Sequence, residues 1–285
     1  MKKAISLILT ALMLLTLAAC NGTTPSPAAG DSSTASQTDT SSSADTGSSD
    51  TSDGEKPKLN TVTPGKLTMS TDAGFAPYEY VEGEKVVGVD ADIAQAIADY
   101  YGLELVIQDM DFTNALLAPQ NGTADFAAAG ISITEERLET MDFTMEYAES
   151  EQVILVRKGF ADIKEEKDLA NVKIGVQQST TADLYCQDME YANVSAYKKN
   201  LVAAEDLKNG QIDCMILDNM PAKAILQQNE AELEILDVVL FTDVYALAVK
   251  KGNTEMAEAL NTVLKKLIDE GKIQEFTKTH MDASM

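Results

Sequence analysis

Ser132, Thr134, Glu135, Glu136 and Arg137 stand close together in the segment 129–137, Ala-Gly-Ile-Ser-Ile-Thr-Glu-Glu-Arg. The segment reads as a strand end, a turn and the first turn of a helix. Thr134 suits an N-cap, and Glu135 and Glu136 suit the positive end of the helix dipole. Arg137 opposes that dipole, at a cost of some tenths of a kcal/mol. Ser132 precedes the cap, where its hydroxyl and free backbone N–H groups can face outward. A guanidinium fork beside such donors suits a small carboxylate, held bidentate. The alternative is an ion pair between Arg137 and a neighbouring acid on a solvated face.

These residues need elements to position them. Strand-like runs are expected at 67–70, 103–108, 125–129, 152–158, 173–176, 193–197, 212–217, 233–236 and 245–249. Helices are expected at 90–101, 114–120, 181–189, 201–209, 219–228, 254–270 and 272–280. Asp90 is the expected N-cap of the first helix and Gly102 its stop. Asp92 is a first-turn acid there. Such alternation implies parallel sheets covered on both faces, with ligands beyond the carboxyl ends of the strands. Asp72, Ser132 with Arg137, the stretch 177–181 and Asp218 all follow strands directly. Arg137 with its amide donors and Asp218 together match a zwitterion. Two simpler readings stay open: Asp218 caps the helix after it, and Asp72 stabilises its own Asp-Ala-Gly turn.

Not all of the 285 residues belong to the folded part. Lys2 and Lys3 precede an apolar run over 5–17, too short to span a bilayer comfortably, which ends at Leu17-Ala18-Ala19-Cys20. This looks like a bacterial lipobox, in which 1–19 is removed as a signal peptide and Cys20 is lipidated. Residues 31–54 hold 14 Ser/Thr and 5 Asp in 24 positions, and the first aromatic residue is Phe75. Such a stretch cannot offset its ordering entropy, so 20–64 is expected to be a disordered tether spanning roughly 35 Å. The formal net charge is −24, with no basic stripe, which disfavours a nucleic-acid partner. Cys186 and Cys214 are either a disulfide or buried thiols. One histidine and three cysteines offer no metal-ligand spacing, and no Gly-rich phosphate loop is present, so no cofactor is expected.

Five segments then appear in order: 70–80 (STDAGFAPYEY), 87–93 (VGVDADI), 130–137 (GISITEER), 141–144 (MDFT) and 174–181 (IGVQQSTT). In this order and spacing the chain resembles the polar amino-acid-binding proteins of ABC transporters, solute-binding protein family 3, over roughly 65–280. The resemblance implies an α/β, two-lobed, periplasmic-binding-protein-like fold with two crossover strands as hinge. Lobe 1 would be 65–152 plus 243–285, and lobe 2 would be 153–242. It implies that Arg137 clamps a ligand carboxylate, helped by Ser132, the Gly130 carbonyl and the Thr181 backbone N–H. Asp218 would take the α-ammonium, Phe75 and Phe112 would sandwich the side chain, and Asp72 and Gln177 would read its tip. Phe75 and Phe112 are otherwise ordinary core residues. The chain departs from the family pattern at Tyr245-Ala246, where Tyr-Gly is usual, and lacks the terminal tryptophan motif.

The implied protein is a monomer outside the cytoplasm, lipid-anchored to the bacterial cell membrane. Its implied partners are a free amino acid and the permease subunits of an ABC importer. Charge counting leaves Asp72 unpaired once Arg137 and Asp218 are assigned, which favours a cationic or polar side chain. Two rivals stand beside this reading. Gly130-Ile131-Ser132-Ile133-Thr134 is one residue off a nucleophile elbow, but the lone His280 sits near the C-terminus. The serious enzymatic rival is a cyclohexadienyl dehydratase of similar fold, which needs a cleft acid to protonate a leaving hydroxyl. The other rival is a sensor module; those usually continue into a transmembrane helix and signalling domain, and this sequence ends at Met285.

Overall fold

The computed structural model describes residues 58–283; the expected signal peptide, Cys20 and the tether up to residue 57 lie outside them. The chain runs through β1 (Lys66–Thr71), β2 (Tyr80–Glu82), β3 (Lys85–Val87), α1 (Val89–Tyr101), β4 (Glu104–Asp109), α2 (Phe112–Leu117) and β5 (Phe126–Ala127). Next come α3 (Glu135–Thr140), β6 (Met141–Arg157), β7 (Ile174–Gln177), α4 (Thr181–Asp188), β8 (Val194–Tyr197), α5 (Asn200–Lys208) and β9 (Cys214–Asp218). It closes with α6 (Asn219–Gln227), β10 (Leu233–Lys250), α7 (Thr254–Asp269) and α8 (Lys272–Ala283).

Eight strands form one mixed sheet in the order β4-β1-β5-β10-β6-β9-β7-β8. The outer triplets β4-β1-β5 and β9-β7-β8 are parallel within themselves. Between them β6 and β10 run antiparallel from Leu233↔Arg157 to Lys250↔Met141, with register shifts along the pair. The expected runs at 233–236 and 245–249 are therefore two ends of one strand, and the run at 152–158 is the end of another. In β6 the stretch 146–151 (EYAESE) hides this continuity, and in β10 Asp237, Thr242 and Asp243 interrupt the apolar runs, while each strand's partner lies far away in sequence.

Packing separates the two ends of the sheet. Leu67, Met69, Ile93 and Phe126 share one cluster with Leu247, Val249, Leu260 and Leu264. At the other end, Val153, Leu155, Met215 and Leu217 face one cluster, and Ile154, Val156, Cys214 and Ile216 face another. This period-two division shows β6 and β9 covered on both faces. Cys186 and Cys214 are free buried thiols. Burial pushes the Cys186 thiol up to about 12.

The expectation for Asp90 fails. Gly88 is the N-cap of α1, at φ 133, and Asp90 lies inside the first turn, fully buried. The Val89 and Asp90 amides donate to the Pro77 and Tyr78 carbonyls at 3.1 and 3.0 Å, so no side-chain cap is needed. A Cβ on Gly88 would stand 2.1 Å from the Tyr78 carbonyl oxygen, so only glycine fits. The Asp90 carboxylate turns inward, accepting from Tyr147 Oη at 2.7 Å and from the Gly130 amide at 3.1 Å.

Candidate binding cleft

A narrow cavity is lined by Asp72, Phe75, Phe112, Gly130, Ser132, Arg137, Gln177, Thr181 and Asp218, with Ala129 and Thr180. All nine residues expected at the site thus meet in one place. Asp72 follows β1, Gln177 ends β7, Asp218 ends β9 and Thr181 opens α4, so the site lies at strand carboxyl ends.

Arg137 sits in the six-residue helix α3, capped by Thr134, whose Oγ1 accepts the Arg137 amide at 3.1 Å. Arg137 as a whole is 6% exposed, which rules out the solvated-face reading. Nη1 donates to the Ser132 carbonyl at 2.7 Å, and Nη2 to the Ser179 carbonyl at 3.0 Å. Arg137 Cζ also lies 5.5 Å from the Phe112 ring centroid. Burial lowers the guanidinium to about 10, against the opposing pull of Asp243, Asp218 and Glu136. It therefore stays charged at neutral pH. Among the described residues it forms no ion pair, and its hydrogen bonds go to carbonyls.

Gly130 adopts φ 54, and a Cβ there would come within 2.6 Å of Phe75 Cε1. Its amide is the one held by Asp90, which fixes how this backbone unit faces the cavity. Asp218 does not cap α6 with its side chain. Its carboxylate instead accepts from Ser150 Oγ at 2.8 Å and from Tyr245 Oη. Burial raises its carboxyl, and hydrogen bonds from Tyr245, Ser150 and Gln152 work against that. Thr181 Oγ1 donates to Asp243 Oδ2 at 2.7 Å, and Gln152 Nε2 donates to the same oxygen at 3.1 Å. Phe75 and Phe112 are both cavity wall and core, packing in separate apolar clusters.

Asp72 overturns the charge count. Its Oδ2 accepts from Gln177 Nε2, and its Oδ1 pairs with Lys199 Nζ. It is therefore not an unpaired carboxylate awaiting a ligand cation. Nor does its side chain hold the following turn, where the Ala73 amide donates to Asp109 Oδ1 at 2.9 Å. Lys199 follows β8 just as the other site residues follow their strands, and that position is the signal that identifies it. Asp243, Ser150 and Tyr245 lie in the middle of the crossover strands, where local pattern carries no such signal.

The chain belongs to the bacterial extracellular solute-binding proteins, family 3, whose model matches residues 67–283. It is similar to the arginine-binding extracellular protein ArtP of Bacillus subtilis, 28% identical over 220 residues, covering 75% of this chain and 85% of that protein. Among solved structures it is similar to the amino acid ABC transporter substrate-binding protein AbpA of Streptococcus pneumoniae bound to L-arginine. That match has a TM-score of 0.73 at 33% identity, covering 77% of this chain and 96% of that one. An ancestral arginine-binding protein bound to glutamine matches with a TM-score of 0.72 at 33% identity, covering 76% and 98%. These relatives are two-lobed amino-acid-binding proteins, and the α/β fold described above is theirs. Among the described residues no helix is long and apolar enough to cross a membrane.

Proposed function

We propose that this is an extracytoplasmic solute-binding protein, lipid-anchored through Cys20, that captures an amino acid between two lobes and delivers it to an ABC importer. Lobe 1 comprises 65–152 plus 243–285, lobe 2 comprises 153–242, and β6 and β10 form the hinge. The observation that carries the reading is the pairing of buried opposite charges in one cavity. Among the described residues neither group has an ion-pair partner: Arg137 is a cation hydrogen-bonded to the Ser132 and Ser179 carbonyls, and Asp218 is an acid held by the Ser150 and Tyr245 hydroxyls. Each has capacity left for the opposite end of a zwitterion. Ser132, the Gly130 carbonyl and the first amide of α4 at Thr181 add the remaining contacts to the amino-acid backbone.

At the side-chain end, Asp72 and Asp109 face one ammonium, Lys199, which leaves a net negative charge there. That supports a cationic or polar side chain. The relatives named for arginine, and the arginine-binding protein bound to glutamine, support the same range. No catalytic step is assigned, and the relatives are named as binding proteins. Thermal melting of residues 55–285 with each amino acid tests the reading, since a ligand of the native state stabilises by RT ln(1 + [L]/Kd). A rise in melting temperature with a basic or amide amino acid is expected. No shift with any amino acid overturns it.

A further inference from the structure

Lys199 is not among the residues lining the cavity, yet it reaches the one carboxylate set at the cavity's side-chain end. Its ammonium pairs with Asp72 and lies 3.2 Å from the Met110 carbonyl oxygen and 3.5 Å from Asp109 Oδ1. Lys199 belongs to the segment between β8 and α5, whereas all three acceptors belong to the β1–β4 end of the sheet. The pair therefore forms only when the two ends of the sheet approach. Asp72 is 4% exposed at its side chain and Lys199 is 34% exposed, so the acid is fixed and the cation can give way. Gln177 holds the other Asp72 oxygen and is itself held by Asn200 Nδ2 at 2.9 Å. Each carboxylate oxygen can accept a second bond, so Asp72 can still meet a ligand while Lys199 is in place.

We propose that Lys199 is a specificity-determining residue: a tethered counter-charge that neutralises Asp72 on closure and widens the ligand range from cationic to neutral polar side chains. Without it, a neutral ligand would close the cleft over a buried, uncompensated carboxylate, which is costly. With it, a cationic side chain must compete with an ammonium already present, so its electrostatic advantage shrinks. The ion pair also joins the two ends whatever the ligand, so part of the closing free energy does not depend on the ligand's side chain. Lys199 acts through Asp72 and is a positioning residue, not a contact to the amino-acid backbone.

The inference rests on the proposed function, and the experiment separates the two. Isothermal calorimetry is run with arginine and with glutamine on the wild type, Lys199→Met and Lys199→Arg, each checked for a native melting transition. Lys199→Met is expected to raise the arginine-to-glutamine affinity ratio about tenfold, the size of coupling between close charge pairs. Lys199→Arg, which keeps the cation, returns the ratio toward that of the wild type. An unchanged ratio in a folded Lys199→Met protein overturns the role of Lys199 and leaves the binding function standing. If the wild type binds neither amino acid, the role of Lys199 falls, and the melting screen over all amino acids decides the binding function separately. If Lys199→Met does not fold, Lys199→Gln is measured in its place, with the same ratio deciding.

Discussion

Arg137 Nη2 donates to the carbonyl of Ser179 at 3.0 Å, joining α3 to the loop that opens α4. Ser179 is itself held in the left-handed region, at φ 65. Its amide donates to Asp183 Oδ2 at 2.8 Å and its hydroxyl lies 3.0 Å from Thr113 Oγ1. The proposed carboxylate clamp and a bond across the cleft are thus made by the same guanidinium.

Removing that guanidinium should abolish useful binding without unfolding the protein. Arg137→Ala is expected to cost roughly 2–5 kcal/mol of binding free energy, as for a buried charge-assisted pair. Arg137→Lys should also bind poorly, because an ammonium cannot reproduce the fork. Calorimetry on both variants checks this, and near wild-type affinity in the alanine variant would remove Arg137 from the site.

Asp218 links ligand and hinge. Its carboxylate accepts from Ser150 on β6 and Tyr245 on β10, the two strands proposed as hinge. Small-angle X-ray scattering should show a smaller radius of gyration when the wild type binds its amino acid. Asp218→Ala is expected to lose both the affinity and that contraction. It also leaves two buried hydroxyl donors without their acceptor, a stability cost of about 1–3 kcal/mol.

Asp90 should leave a mark on the pH dependence of stability. Burial raises its carboxyl from 3.8 to about 6, against the opposing hydrogen bonds from Tyr147, Gly130 and Glu79. Glu79, beside it, is raised well above the usual carboxylate range by burial first and then by the Asp90 charge. The native state holds the Asp90 proton more tightly than the unfolded chain does. Its contribution is therefore fully present below pH 3.8 and is lost as pH rises through about 6. The loss is at most about 3 kcal/mol. Asp90→Asn cannot ionise, so its melting temperature relative to the wild type should rise between about pH 4 and 6 and then level off. Melts across that range check it; a constant difference would assign no titration to Asp90.

Anchoring has a separate test. Cys20→Ser is expected to release the protein from the membrane or to block its processing. Fractionation through a high-salt wash distinguishes the outcomes, and a variant that stays with membranes would rule out the lipobox.

The parts of the site legible in the sequence were those written locally. Thr134, the two glutamates and Arg137 announce a capped turn within a few residues, and the cap forms as read. Gly102 stops α1 in the left-handed conformation, at φ 68. Asp90 was misread for the same local reason: an acid at the head of an apolar helix has the form of a cap. The tertiary contact that turns it inward comes from Gly130, 40 positions away.

The sequence by itself determined the α/β alternation, the strand ends that carry the site, and the opposite charges of Arg137 and Asp218. Periodicity and turn chemistry act over one element and need no partner to be read. Tertiary structure alone decided that β6 and β10 run unbroken between the two ends of the sheet. Polar residues break the apolar pattern of each (146–151 in β6; Asp237, Thr242 and Asp243 in β10), and the continuous strand forms because the other supplies its hydrogen bonds. It also decided the company of Asp72. Lys199 is 127 positions away, and their meeting follows from how the two ends of the sheet close on one another. Such a contact depends on the path of the whole chain, which no local pattern encodes.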